Sequence, residues 1–350
     1  MFRYQEDLKL VLIATWNDYH EQTQIEPCDG GPLGTGHLLL DKTGWYVSRL
    51  KKGEPFQPMP ESQSWNTVEG ESPRIDEERF AEKLQRAVSY LAERYNPELG
   101  LIPDAQGPGG FEYNGKFWTF DKVYHLADNR LASMALEPYD PELSRAIAGR
   151  VRELYPDDPD GKANVVEGKP LTQEVWTVEG KVVEEGDDYI IFRGEPTKFT
   201  LWPLGGYLDV LTMYSLFAWM NGQDECARAL LNAGKRMWDG YGLVDGPGKG
   251  ARQYAVYKMA LFLFALQVVQ EPFEHFGQVE MDMWQAQDDT SGGIITGLTY
   301  DGRALVGPNT ETTSLVILAY DHERIERLQQ GFPEAERTDI EVCHWGPSGR

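Results

Sequence analysis

The chain has 350 residues, with 33 Lys and Arg against 56 Asp and Glu, a formal net charge of −23. Its length predicts roughly two domains of about 150 residues, or one large helical domain with appendages, and 41% hydrophobic with 25% charged residues is the balance of a globular chain rather than a disordered one. The deficit of positive charge excludes nucleic acid as a partner, since phosphate neutralisation needs a basic face, and excludes adhesion to an anionic membrane.

Residues 9–16, Lys-Leu-Val-Leu-Ile-Ala-Thr-Trp, form an apolar, β-branched run followed by a polar burst. This predicts a short strand buried on both faces, of the kind found in parallel sheets. So few residues precede it that its sheet is expected to be completed elsewhere, or the chain to begin inside a larger domain. Residues 53–74 are rich in Pro, Ser, Glu and Gly and read as a linker. A helix follows, with Asp76 as N-cap and Phe80, Leu84, Ala87, Val88 and Leu91 at helical spacing, ended by Asn96-Pro97. Further helices are expected at 126–137, 141–155, 203–221, 223–238, 251–270, 273–287 and 310–321. Between 162 and 198 alternating segments with Glu-Gly turns predict a small antiparallel insertion of hairpins. The domains are therefore drawn as 1–52, a linker 53–74, a helical domain 75–325 carrying the insertion, and a tail 326–350.

Helices joined by short loops favour antiparallel helical hairpins. Asn96-Pro-Glu-Leu-Gly-Leu-Ile-Pro, Trp238-Asp-Gly-Tyr-Gly-Leu-Val-Asp and Asp288-Asp-Thr-Ser-Gly-Gly-Ile-Ile share one logic: a helix ends, polar and Gly residues turn, and a short apolar segment follows. Repetition of such a unit is the mark of a solenoid or a closed toroid. Eight or nine helices are counted, fewer than the twelve of a six-hairpin toroid.

The stretch Thr15-Trp-Asn-Asp-Tyr-His-Glu-Gln-Thr-Gln-Ile-Glu-Pro sits at the end of the first strand, where barrel enzymes place catalytic groups. Asp18 and Glu21 are carboxylates close enough to divide acid and base roles, with His20 able to tune either. Trp16, Asn17, Glu21, Thr23, Ile25, Glu26 and Pro27 resemble the last βα unit of the barrel in glycoside hydrolase family 99, and the family's two working carboxylates fall on Asp18 and Glu21. Asp18 stands where the family has Glu, Tyr19 where it has Trp, and Gln22 where it has Gly. The resemblance is confined to the first 52 residues and implies a glycan-processing ancestry, with the rest of the barrel a missing partner.

Residues 75–325 resemble the helical toroids of six-hairpin glycosidases and of archaeal proteins of undefined function. The likeness rests on Tyr95-Asn-Pro-Glu-Leu-Gly-Leu-Ile, Leu126-Ala-Asp-Asn-Arg-Leu-Ala, Met237-Trp-Asp-Gly-Tyr-Gly and the segment 288–313, the last also similar to terpene-cyclase toroids. The fold class expected is thus mainly α, an α/α toroid, possibly incomplete, with a small β insertion. In such a toroid the acids at helix starts face a funnel. Asp128 lies in the first turn of an apolar helix, Asp209 interrupts another, and Glu311 opens a third. Helix capping and dipole matching explain Asp128 and Glu311 equally well; Asp209 is harder to explain structurally, because an unpaired buried acid is costly.

With 10 Trp, 17 Tyr and 14 Phe the chain is rich in rings on which sugars stack. Trp118, Tyr124, Trp202, Tyr207, Trp238, Asp239, Tyr241, Tyr254 and Tyr257 are the candidate substrate contacts, although apolar cores use such rings too. His125, His275 and His322 show no metal-ligand spacing, so no metal and no cofactor is expected. Cys28, Cys226 and Cys343 are far apart in sequence and do not have the recognisable spacing of a disulfide framework or a zinc cluster. No apolar run approaches the ~18 residues of a membrane span, no signal-peptide core follows Met1, and no compartment is assigned. The function expected is glycoside-hydrolase-like, with an oligo- or polysaccharide as partner. The rival is a non-catalytic glycan-binding or structural toroid. A terpenoid enzyme is disfavoured by the lack of an Asp-Asp-x-x-Asp motif.

Overall fold

The computed structural model describes residues 77–107, 109–156, 160–169, 175–198, 206–240, 242–251, 253–300, 302, 304–305 and 307–338. The expected strand at 9–16, the motif carrying Asp18 and Glu21, the linker at 53–74 and the cap at Asp76 all lie outside these residues, as do Trp202 and Tyr241.

Among the described residues the chain is mainly helical. Helix α1 spans Glu77–Glu93, α2 Leu126–Leu136, α3 Pro141–Leu154, α4 Gly161–Glu167, α5 Leu208–Met220 and α6 Asp224–Lys235. Then come α7 Gly246–Ala251, α8 Val256–Val269, α9 Phe276–Gln285, α10 Thr310–Leu318 and α11 His322–Gln329. Three small sheets accompany them: the hairpin β1 Gly110–Tyr113 with β2 Lys116–Thr119, the sheet of β3 Val123–His125, β4 Val175–Glu185 and β5 Ile190–Lys198, and the pair β6 Gln253–Ala255 with β7 Gly297–Thr299. No helix among the described residues is long and apolar enough to cross a membrane.

The helices fall into two kinds, and the difference is visible in their residues. In α1, α3, α6 and α11 apolar side chains recur on one stripe and charges fill the other, so these helices bury a single face. By contrast α5 and α8 are apolar nearly all round, α2 and α10 carry their polar residues mainly toward their N-terminal ends, and nearly every residue in all four is buried. A helix without a polar face must be surrounded by other elements. Accordingly α2 packs against α10, α10 against α8, and α8 against α5, while α4 touches both α5 and α2. Short loops fold the amphipathic helices back on the apolar ones: α3 lies on α2, α6 on α5 and α9 on α8.

The repeated turn seen in the sequence has a common structure. After α1 an isolated bridge joins Asn96 to Leu101, after α6 one joins Trp238 to Leu243, and after α9 one joins Gln287 to Ile294. A polar side chain near the start of each turn accepts a backbone N–H further along: Asn96 from Glu98, Asp239 from Gly242, Asp288 from Ser291. Each turn also contains one glycine with positive φ, at 100, 240 and 292. At Gly292 a Cβ would lie 2.7 Å from the Arg86 carbonyl of α1, so the left-handed backbone and the close approach both require glycine.

Several expectations are corrected. The helix expected from 203 begins at Leu208, which puts Asp209 in a first turn rather than mid-helix. The hairpin insertion expected from 162 begins only at Val175, because 161–167 is the helix α4. Asp160 caps α4 by accepting from Ala163 N at 2.7 Å, and Gly168 ends it at φ 81°. The sheet is not wholly antiparallel either: β5 pairs antiparallel with β4 and parallel with β3, Tyr124 lying opposite Ile191. The boundary drawn at 325 cuts through α11.

Candidate functional site

The first turns of α2, α4, α5, α8 and α10 meet. This is shown by contacts between their own side chains. Lys162 of α4 forms an ion pair with Glu311 of α10, and its ammonium stands 5.1 Å from the ring centre of Tyr257 of α8. The Tyr257 hydroxyl donates to Asp209 Oδ2 of α5 at 3.4 Å. Lys258 of α8 places its Nζ 3.2 Å from Asp209 Oδ1 and donates to Asp245 Oδ2 at 2.5 Å. Asp128 of α2 faces the same group of charges, since Glu311 and Asp104 are the carboxylates that act on it most strongly.

The residues that escape full burial mark the open side of this cluster. In α5 only Asp209 and Trp219 are not buried, in α8 only Tyr257 and Gln267, and in α10 only Glu311. Asp209, Tyr257 and Glu311 are thus the points where these apolar helices reach a polar pit. Neither Asp128 nor Glu311 is a side-chain cap, although both lie in a first turn, where the helix dipole favours an acid. Helix α2 starts with no side-chain cap bond, and the cap of α10 is Asn309, which accepts from Thr312 N at 2.8 Å. Nor does Asp209 cap α5; the N–H of Leu208 is taken by Asp245 at 3.2 Å.

Charge within the pit is arranged by pairs. Burial by itself lowers the Lys162 pKa, but Glu311 and Asp160 outweigh it and hold the ammonium charged. Burial, then Asp209, pushes the Tyr257 hydroxyl up, so that it remains a donor. Lys258 serves two carboxylates, and its geometry favours Asp245; Asp209 Oδ1 lies off the hydrogen-bonding angle and accepts no hydrogen bond. Burial, then Glu311 and Asp104, raises Asp128 well above the usual carboxylate range. Two carboxyls so close cannot both carry charge unless a proton or a cation lies between them.

The remaining candidates lie at separate places. Tyr207, 37% exposed, joins the pit, its ring 5.3 Å from the Lys258 ammonium. Tyr124 is buried beside His125 and its hydroxyl accepts from Asn96 at 3.2 Å. Trp238, Asp239 and Tyr254 belong instead to the turn after α6. There Trp238 stacks on His275 at 4.5 Å, and the buried Tyr254 donates to Asp239 at 3.0 Å while stacking on Tyr300 at 4.9 Å. Trp118 is placed elsewhere again. It is 1% exposed in a small core with Val123, Ile190 and Phe192, and presents no ring face to a sugar.

Sequence reasoning passed over Asp104, Asp245, Lys162 and Lys258. Two of them had a signal: Gly-Leu-Ile-Pro-Asp104 and Gly-Leu-Val-Asp245 follow two copies of the repeated turn, each placing an acid within three residues of the bridged leucine. Lys258 is the one charge in the apolar run 256–269, the same feature that drew attention to Asp209. His125 was set aside for want of ligand spacing, yet it lies with Asp104 and Asp128, one ligand atom of each within 4.8 Å of the others. Comparison with protein-family models, with curated proteins and with solved structures returns no match.

Proposed function

We propose that the chain is a carbohydrate-active, glycoside-hydrolase-like protein that cleaves an O-glycosyl bond of an oligo- or polysaccharide with a pair of carboxylates in the pit. The observation that carries this reading is the convergence of Asp209 and Glu311 near Tyr257, the first hydrogen-bonded to its hydroxyl and the second linked to its ring through Lys162, at the first turns of helices that pack on one another in a circuit. In this reading the circuit is an α/α toroid of helical hairpins and the pit is its funnel. One carboxyl protonates the departing glycosidic oxygen while the other assists attack at the anomeric carbon. The half-buried Asp209 keeps a carboxylate oxygen without a hydrogen-bond partner, Lys162 holds Glu311 in place, and the exposed ring of Tyr207 offers a stacking face.

A second reading is a glycan-binding pit without turnover, either free-standing or packed on a barrel domain of the family 99 type. It is favoured by the lysine that each of the two carboxylates already engages. Reducing-end release from a panel of oligosaccharides, with calorimetry on the same panel, separates the two. Hydrolysis abolished by Asp209→Asn and by Glu311→Gln in folded protein supports the enzyme. Binding without release supports the second reading, and full hydrolysis in both variants overturns the pit as the site.

A further inference from the structure

We propose that Asp104, His125 and Asp128 hold a divalent metal ion of the zinc and manganese class on one wall of the pit. The proposal goes beyond glycan cleavage and does not depend on it.

One carboxylate oxygen from each aspartate and one ring nitrogen of His125 lie within 4.8 Å of one another, and His125 Nδ1 is 3.9 Å from Asp128 Oδ2. An ion with N and O ligands at ~2.0–2.2 Å spans at most ~4.4 Å between opposite ligands. The set therefore closes on a metal with a small rotation of the imidazole, whose side chain is 43% exposed.

The second observation is that, among the described residues, no lysine or arginine forms an ion pair with either of these acids. Asp128 is 8% exposed, and no N–H and no Ser, Thr or Tyr hydroxyl among the described residues donates to its carboxylate or to that of Asp104. Other acids nearby are matched: Glu311 by Lys162, Asp209 and Asp245 by Lys258. The Lys162 ammonium, which also acts on Asp128, is thus committed to Glu311. A buried carboxylate beside a second carboxylate and an imidazole is a set of donors that a divalent cation would stabilise.

The scaffold around the three groups is rigid. Asp104 donates its backbone N–H to Val123 O at 2.7 Å and accepts Thr310 N at 2.7 Å, so it is tied to both β3 and α10. The fully buried Asn129 of α2 receives Ile102 N at 2.7 Å and donates to the carbonyls of Ile102 and His125 at 2.9 Å each. It thereby holds the segment before Asp104 against the helix that carries Asp128. Ligand chemistry selects the ion: an imidazole with two carboxylates suits zinc or manganese, whereas calcium and magnesium prefer oxygen alone. Three protein ligands leave positions open toward the pit, where water or a sugar hydroxyl completes the shell.

The test uses the tag-free full chain, stripped with EDTA and titrated with ZnCl2, MnCl2 and CaCl2 by calorimetry, with a thermal melt of each form. The expected result is one equivalent of Zn2+ or Mn2+ bound with micromolar or tighter Kd, a raised Tm, and at least a tenfold weaker Kd in Asp104→Asn and in His125→Gln. Asp209→Asn is expected to bind as the unaltered chain does. His125→Gln changes a partly exposed residue, so it keeps the test valid should Asp104→Asn fail to fold. No binding, binding of Ca2+ alone, or Zn2+ binding untouched by either ligand variant overturns the proposal. Because metal content is read directly, loss of this site and loss of glycan cleavage are separate outcomes.

Discussion

Lys258 Nζ lies 2.5 Å from Asp245 Oδ2, a buried ion pair that joins the first turn of α8 to the turn preceding α7. Asp245 also accepts the N–H of Leu208 and of Gly248, so its carboxylate ties the starts of α5, α7 and α8 together. The pit is therefore built on this pair. Lys258→Met leaves a buried carboxylate without its cation and is expected to cost about 3–5 kcal/mol. The double variant Lys258→Met/Asp245→Asn removes both charges and is expected to lose less than the sum of the singles. Urea unfolding of the four proteins checks this; additive losses would show that the pair does not interact.

Asn129 supports the same end of the molecule from the other side. Its side chain satisfies an N–H and two carbonyls in a fully buried position. Asn129→Ala leaves those groups without a partner and fills nothing in return. A loss of about 1–3 kcal/mol is expected, read as a lower urea midpoint with an unchanged m-value.

Gly234 shows where helix propensity points the wrong way. It lies near the end of α6, and Ala is ordinarily favoured over Gly in a helix by about 1 kcal/mol. Here an added Cβ would stand 2.6 Å from the Phe262 ring and 3.1 Å from Leu208 Cδ1. The ring also packs edge-on against Phe273 at 5.9 Å, so it has little room to yield. Gly234→Ala is expected to destabilise by about 1–3 kcal/mol, and adding Phe262→Leu to recover part of the loss. A rise in Tm for the single variant would contradict the close packing of α6 on α8.

Much of the helical frame was legible because it depends on local patterning. The apolar runs of α5, α8 and α10 and the amphipathic stripes of α1, α3 and α6 are properties of consecutive residues. What was missed follows from competition between signals. In 161–167 the β-branched pair Val165-Val166 read as strand, while the Asp160 cap and the Gly168 stop, both present in the sequence, defined a helix. For the site, Asp128, Asp209 and Glu311 stood out as acids at or within apolar helices, and all three reach the pit. Their partners did not stand out. Lys162 meets Glu311 only because two helices bring their first turns together, and Asp104 meets Asp128 only because the segment between α1 and β1 folds against α2. The aromatic candidates divided on the same ground: composition names rings, and only packing decides whether a ring such as Trp118 has a face left over.

Asp282 carries a pH dependence outside the pit. It lies in α9, 3% exposed, with Oδ1 accepting from Gln278 at 2.9 Å and Oδ2 buried without a hydrogen-bond partner. Burial raises its pKa to about 8; the Gln278 hydrogen bond opposes the rise and Asp239 adds to it. In the unfolded chain the same group titrates near ~3.9. Between these values the folded protein keeps a proton that the unfolded chain has released, so stability falls as pH rises from about 4 to about 8 and then levels off. Asp282→Asn retains the hydrogen bond from Gln278 as an acceptor and removes the charge. It is expected to leave the urea midpoint unchanged near pH 4 and to raise stability by roughly 1–3 kcal/mol at pH 8. Equal effects of the substitution at the two pH values would show that Asp282 ionises as freely in the folded protein as in the unfolded chain.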